Sequence, residues 1–170
     1  MALYLIGNGP MQTTAAFAVV TTAAVIKTML QVKMGATNVG RIREWGISFD
    51  GSAAATPGKV ELIETDVAAT VTASAAADIT KYDADALLNG DPTTSLFAVG
   101  TTSTGYTATA EGSITAVRNL AGPQLIAPTN QFIQQFPLGA EPIINLAKFA
   151  RIRVTFASAI NAYCYMIVSV

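Results

Sequence analysis

Trp45–Glu64 reads WGISFDGSAAATPGKVELIE, and the fold class turns on how this stretch is read. Gly46-Ile47-Ser48-Phe49-Asp50-Gly51 sets a serine between glycines, as a nucleophile turn does. The spacing argues against that role. A nucleophile elbow is G-x-S-x-G at a strand-to-helix turn, whereas here an extra residue separates Ser48 from Gly51, and Lys59–Glu64 has the look of a strand. The chain also contains no histidine, which removes the commonest general base and the Ser-His-Asp and Cys-His arrangements. Ser48 is therefore expected to be a strand residue. Asp50-Gly51 ends that strand, Ser52–Gly58 is a small-residue loop closed by Pro57-Gly58, and Lys59–Glu64 returns as the second arm of a hairpin.

The same period-two pattern recurs on either side. Val25–Met34, VIKTMLQVKM, puts Ile26, Thr28, Leu30, Val32 and Met34 on one face and Lys27, Gln31 and Lys33 on the other, with Met29 among them. That is the pattern of a half-buried strand. Arg41–Asp50 and Lys59–Asp66 read as strands, and Thr101–Ala116 as one long strand bent at Gly112. Phe149–Phe156, FARIRVTF, alternates Ile152, Val154 and Phe156 with Arg151, Arg153 and Thr155. After the link Ala157–Ile160 comes NAYCYMIVSV, Asn161–Val170, apolar on both faces and hence expected to be central or covered. The two are expected to form an antiparallel hairpin.

Helix is scarce. Ala76–Leu88 reads as a short helix or turn-rich crossover ended by Asp91-Pro92. Ala121–Pro142 contains Pro123, Pro128, Pro137 and Pro142, so it is expected as an extended loop over the sheet with a short strand near Gln131–Phe136. Seven or eight strands with long connections point to an all-β fold. The expected form is an antiparallel β-sandwich of jelly-roll type, with long loops and little helix. Residues 1–24 are expected as an N-terminal arm or edge strand, and 25–170 as the sandwich domain.

Composition narrows the function classes. The 170 residues are 51% hydrophobic but only 12% charged, with a net charge of −1; roughly 25% charged is usual. Long-range repulsion between copies is nearly absent, and a weakly charged surface of this kind points to an oligomer or an assembly component. Nucleic-acid binding is disfavoured because there is no basic run. The longest apolar stretch, Ala15–Ile26, is broken by Thr21 and Thr22 and falls short of the roughly 20 residues a membrane helix needs. No basic, apolar leader opens the chain, so synthesis in the cytoplasm and no membrane partner are expected. The single cysteine, Cys164, is expected as a buried structural thiol.

No site for chemistry emerges. Glu61, Glu64 and Asp66 lie close enough in sequence for a carboxylate pair, but nothing supplies a sugar platform, and a solvated strand face is expected. Asp83-Ala84-Asp85 and Asn89-Gly90-Asp91 loosely resemble a calcium loop, yet they fail the full pattern and suit turns equally well. Gly7-Asn8-Gly9-Pro10 is a turn signal. Arg41 and Arg43 on one strand and Arg151 and Arg153 on another would form a four-guanidinium patch if the strands were neighbours; ordinary outward-facing charge is the plainer reading. The expectation is therefore no catalytic, cofactor-binding or metal-binding residue, no cofactor and no enzyme.

Three runs carry a resemblance: WGISFDGSAAATPGKVELIETDVAATVT (Trp45–Thr72), GTTSTGYTATAEGSITAVRN (Gly100–Asn119) and PLGAEPIINLAKFARIRVTFASAINAYCYMIVSV (Pro137–Val170). They resemble small virion structural proteins of long-tailed bacteriophages of the actinobacterial type, over most of the chain beyond residue 25. The resemblance implies a capsid decoration, or cement, protein on the outer surface of a phage head. Its implied partners are the major capsid protein and further copies of itself, as a homotrimer, with no direct contact to nucleic acid. A tail or neck structural protein and a carbohydrate-binding β-sandwich are the alternatives.

Overall fold

The structure is a computed structural model that describes residues 2–10, 19–52, 54–82 and 96–170. Along the chain the strands are β1 (Leu3–Gly7), β2 (Val20–Thr21), β3 (Ile26–Val32), β4 (Gly40–Asp50), β5 (Gly58–Thr65), β6 (Thr70–Ala73), β7 (Ile79–Lys81), β8 (Gly105–Ala110), β9 (Val117–Asn119), β10 (Gln124–Ile126), β11 (Gln131–Gln135), β12 (Ile143–Ile144), β13 (Phe149–Thr155) and β14 (Asn161–Ser169). A 3₁₀ turn, Ala76–Asp78, precedes β7. The first sheet runs β11-β4-β14-β1-β7, with β12 also on β4 and β2 also on β14. The second runs β10-β5-β13-β3-β8-β6, with β9 also on β5. All strand pairings in both are antiparallel. The expected antiparallel β-sandwich is present. These two orders establish the sandwich architecture.

Alternation builds the core between the sheets. Trp45 and Ile47 from β4, and Cys164, Met166 and Val168 from β14, face Leu62 from β5 and Ile152 and Val154 from β13 in one buried cluster. Each such side chain contributes roughly 1.5–3 kcal/mol of burial free energy. Phe49 meets Phe156 edge-on, with ring centroids 4.9 Å apart, which links the ends of strands in opposite sheets.

Both expected hairpins are instead crossovers. β4 belongs to the first sheet and β5 to the second, so 51–57 carries the chain from one layer to the other. Gly51 N–H anchors this connection on Pro128 C=O at 2.9 Å. Likewise β13 and β14 lie in opposite sheets, and the link after Thr155 spans the gap. The physical reason is reach: loops of this length cover the roughly 10 Å between packed sheets. β14 does lie centrally, between β4 and β1.

Several other expectations change in detail. The face assignment in β3 shifts because its pairing with β13 slips between Ile152 and Arg153: Ile152 opposes Leu30, and Arg153 opposes Thr28. Met29 is the extra residue. It turns into the core beside Leu30, while Thr28 moves to the outer face. The long strand expected over Thr101–Ala116 contracts to β8, and Gly112 sits at φ +75° just beyond it. Within 1–24, Leu3–Gly7 is held on both sides, by β14 and by β7, inside this chain's own sheet. Asn8 prolongs that pairing through its side chain: its amide oxygen accepts from Cys164 N–H at 3.0 Å, and its amide nitrogen donates to Ala162 C=O at 3.2 Å.

Candidate interaction face

The two outer faces of the sandwich differ in kind. That of the second sheet is closed by the chain itself. Gln31 on β3 accepts from Ala69 N–H at 2.8 Å and donates to Ser103 C=O at 2.6 Å, so the segments before β6 and β8 are tied down over it. Arg151 on β13, fully buried, donates to Glu111 Oε2 at 3.4 Å, to Glu111 C=O at 3.1 Å, and to Val67 C=O. Glu111 also accepts the N–H of Thr28 at 2.5 Å and its hydroxyl at 2.7 Å. Burial lowers the Arg151 pKa to about 10, which leaves the guanidinium a cation at neutral pH.

The conditional four-arginine patch does not form, and the plainer reading of outward-facing charge fails at Arg151, which is buried. β4 and β13 lie in opposite sheets, and the arginines find separate carboxylates: Arg43 pairs with Glu141, Arg151 with Glu111, and Arg153 with Glu61 at 3.0 Å. The solvated carboxylate face is also corrected. Glu61 and Glu64 are buried. Lys59 reaches Glu61 at 2.7 Å. Arg118 and Asn145 hold Glu64, at 3.0 Å and 2.9 Å. Burial pushes the Glu64 pKa up, but the hydrogen bonds from Arg118 and Asn145 outweigh it, and the net shift is downward. These carboxylates join β5 to β9, to β13 and to the segment around Asn145.

Among the described residues, the first sheet's outer face is open. Its rows follow from register. One runs Ile133, Gly46, Tyr165, Gly7 across β11, β4, β14 and β1. A second runs Gln135, Glu44, Ile167, Leu5, Thr80, and a third Gln131, Ser48, Tyr163. Tyr165 lies over Gly46, where an added Cβ would meet its ring at 2.7 Å. The tyrosine rings stack with centroids 6.0 Å apart. Leu5, Tyr163, Tyr165 and Ile167 are half-buried, and Ile133 is 52% exposed. Glu44 is the charge amid them, and it is engaged by the Tyr165 hydroxyl and by Gln135 at 2.5 Å. Burial and the neighbouring Glu44 carboxylate raise the Tyr165 pKa, so the phenol stays neutral.

Ser48 sits on this open face as a strand residue. A cleft of about 480 Å³ lies beside it, lined among others by Val19, Asp50, Asn161 and Tyr163. Cys164 is buried beneath, and its thiol pKa is pushed well up by that burial. The loose calcium-loop residues, Asp83 to Asp91, lie outside the described residues. Among the described residues, no cluster of acidic, cysteine or histidine side chains is placed to hold a metal ion, and no helix is long and apolar enough to cross a membrane. Period-two reading located the strands of the open face but not the face itself, because alternation does not reveal which outer face the loops cover. No protein-family model, no curated protein and no solved structure matches the chain.

Proposed function

We propose that this chain is a structural virion protein: a capsid decoration, or cement, protein that binds the outer surface of a phage head and stabilises the shell. The observation that carries the reading is the asymmetry of the sandwich. One outer face is sealed by the chain's own loops and ion pairs, and the other is a flat, weakly charged array of Leu5, Tyr163, Tyr165, Ile167 and Ile133. Such a surface gains free energy when a partner covers it, and aromatic anchors dominate the energetics of protein interfaces. The virion setting rests on the running resemblance of Trp45–Thr72, Gly100–Asn119 and Pro137–Val170. In this reading the partners are the major capsid protein and further copies of the chain as a homotrimer. The mechanism is clamping: each unit bridges neighbouring shell subunits and opposes internal pressure, with no catalytic step and no cofactor. The test is to mix the purified chain with undecorated heads. Stoichiometric binding over the shell supports decoration, binding confined to one vertex assigns the chain to the tail or neck instead, and no binding rejects both.

The cleft favours a second reading. Tyr163 lines it together with Asp50, Asn161 and Ser48, an aromatic residue beside a few polar ones, the kind of lining that small-molecule sites combine. A glycan-array screen in which Tyr163→Ala abolishes a positive signal supports this alternative, and an array with no signal removes it.

A further inference from the structure

β11 ends the first sheet, and among the described residues no strand pairs with its far side. Its hydrogen-bonding phase is fixed by its neighbours. Asn130 C=O accepts from Phe49 N–H, and Phe136 N–H donates to Arg43 C=O. Even-numbered residues therefore turn their backbone groups toward β4. Gln131, Ile133 and Gln135 turn theirs outward, along the free edge. All three residues are exposed.

Free edges are usually blunted by charge, bulges or proline within the strand. β11, Gln-Phe-Ile-Gln-Gln, has no charged residue, no proline and no break in its register with β4. Prolines stand outside it instead, at Pro128 and Pro137, and they bound the window over which another strand can pair. The outward-facing residues read Gln-Ile-Gln, which is the same in both directions. An antiparallel copy centred on Ile133 would set Ile133 opposite Ile133, and Gln131 opposite Gln135 on both sides. Because the outward residues fall at the centre and both flanks, every such pair is of the hydrogen-bonded kind and exchanges both its N–H···O bonds. The glutamine amides meet as donor and acceptor, the isoleucines make an apolar contact, and no like charges oppose.

We propose that the β11 edge is a two-fold self-association site, joining the first sheets of two copies into one continuous antiparallel sheet centred on Ile133. The contact is isologous, with the same patch used by both copies. It does not depend on the virion reading, and it is not the contact of the proposed homotrimer: a two-fold contact joins copies in pairs, whether those copies are single chains or members of trimers. Its occupant is a second β11, not an extended N-terminal segment of a neighbour.

Site-directed cross-linking of the full chain tests it. In a hydrogen-bonded antiparallel pair, Cα atoms lie about 5.5 Å apart, within the range of about 4.4–6.8 Å that a disulfide spans. Ile133→Cys is compared with Leu125→Cys, a control at the 81% exposed position on β10; Cys164 is buried and silent in both. Two thiols held in one complex have an effective concentration near millimolar, so at micromolar protein Ile133→Cys should form a covalent dimer at least about tenfold faster than Leu125→Cys. Sedimentation velocity gives the second arm. The unaltered chain is expected to pair as its concentration rises, and Ile133→Lys, which opposes two like charges at the axis, should lose that pairing while keeping its circular dichroism. Equal cross-linking rates at the two positions overturn the proposal. So does an unaltered sedimentation profile for Ile133→Lys. If Ile133→Lys dissociates the protein but Ile133→Cys does not cross-link to itself, the edge takes a different segment and the two-fold pairing is wrong.

Discussion

The buried Arg151 guanidinium rests on Glu111, Nη1 to Oε2 at 3.4 Å, and Glu111 in turn takes the backbone N–H of Thr28 at 2.5 Å. This contact couples β13 to the segment after β8 and to β3, and it closes one face of the sandwich. Removing the cation alone leaves the Glu111 carboxylate without its charge partner, although it keeps both donors of Thr28, and takes from Val67 C=O one of its two donors. Arg151→Ala is therefore predicted to lower stability by about 3–5 kcal/mol. Arg151→Met combined with Glu111→Gln, which removes both charges, nearly keeps the volume and leaves an amide to bond the Thr28 N–H and hydroxyl, is predicted to cost far less. Urea unfolding followed by the fluorescence of Trp45, the one tryptophan and fully buried, reads both. Equal losses for the two variants would show that packing, not the unpaired charge, dominates.

Acid stability should carry the signature of Asp66. The Thr115 hydroxyl is the main hydrogen-bond donor to this carboxylate, followed by the N–H groups of Ala116 at 3.1 Å and Thr115 at 3.2 Å. Together they hold its pKa at about 2, against an ordinary 3.8. The folded value lies below the unfolded one, so the contribution is fully present above about pH 4 and is lost as pH falls toward 2. Thr115→Val is predicted to raise the Asp66 pKa toward its ordinary value. Carboxyl-carbon NMR titration of Asp66 measures this directly, and an unchanged midpoint in the variant contradicts it.

Cys164 should be inert in the folded protein. Its side chain is buried in the core, and burial alone raises its pKa, which suppresses the thiolate that reacts. A maleimide is predicted to label the chain in denaturant and to leave it unlabelled under native conditions. Native labelling at the rate of a free thiol would place Cys164 elsewhere.

Close packing beside β6 gives a fourth prediction. A Cβ on Gly105 would lie 2.3 Å from Thr72 C=O and 2.6 Å from Val71, whereas at Gly122 the nearest atom is 4.0 Å away. Gly105→Ala must push backbone, and it is predicted to cost about 1–3 kcal/mol. Gly122→Ala is predicted to stay within about 0.5 kcal/mol of the unaltered chain. Comparing their urea midpoints decides it.

Much of the strand inventory was legible in the sequence, and its wiring was not. Period-two runs located β3, β4, β5, β13 and β14, because each presents alternate apolar side chains to one core. Alternation fixes which face a residue takes but not which sheet its strand joins, so 51–57 and the link before Asn161 read as hairpin turns when they are crossovers. The bulge at Met29 was invisible because it is defined by the partner strand β13. Glu61 and Glu64 looked solvated because the cations that cover them, Arg153 and Arg118, come from distant parts of the chain. The short strands β2, β9, β10 and β12 carry two or three residues each, too few for any period to show. The open face needed the register of four strands before Tyr165 could be placed between Gly46 and Gly7.

Decoration itself is tested most directly by binding to undecorated heads, with the unaltered chain and a Tyr163→Ser, Tyr165→Ser double variant added in parallel and bound copies counted after sedimentation. Capsid decoration through the open face predicts saturable, stoichiometric binding over the shell by the unaltered chain, and binding weakened at least tenfold (about 1.4 kcal/mol) in the variant, which remains folded by circular dichroism. Binding that is absent, or equally strong in both proteins, would contradict it.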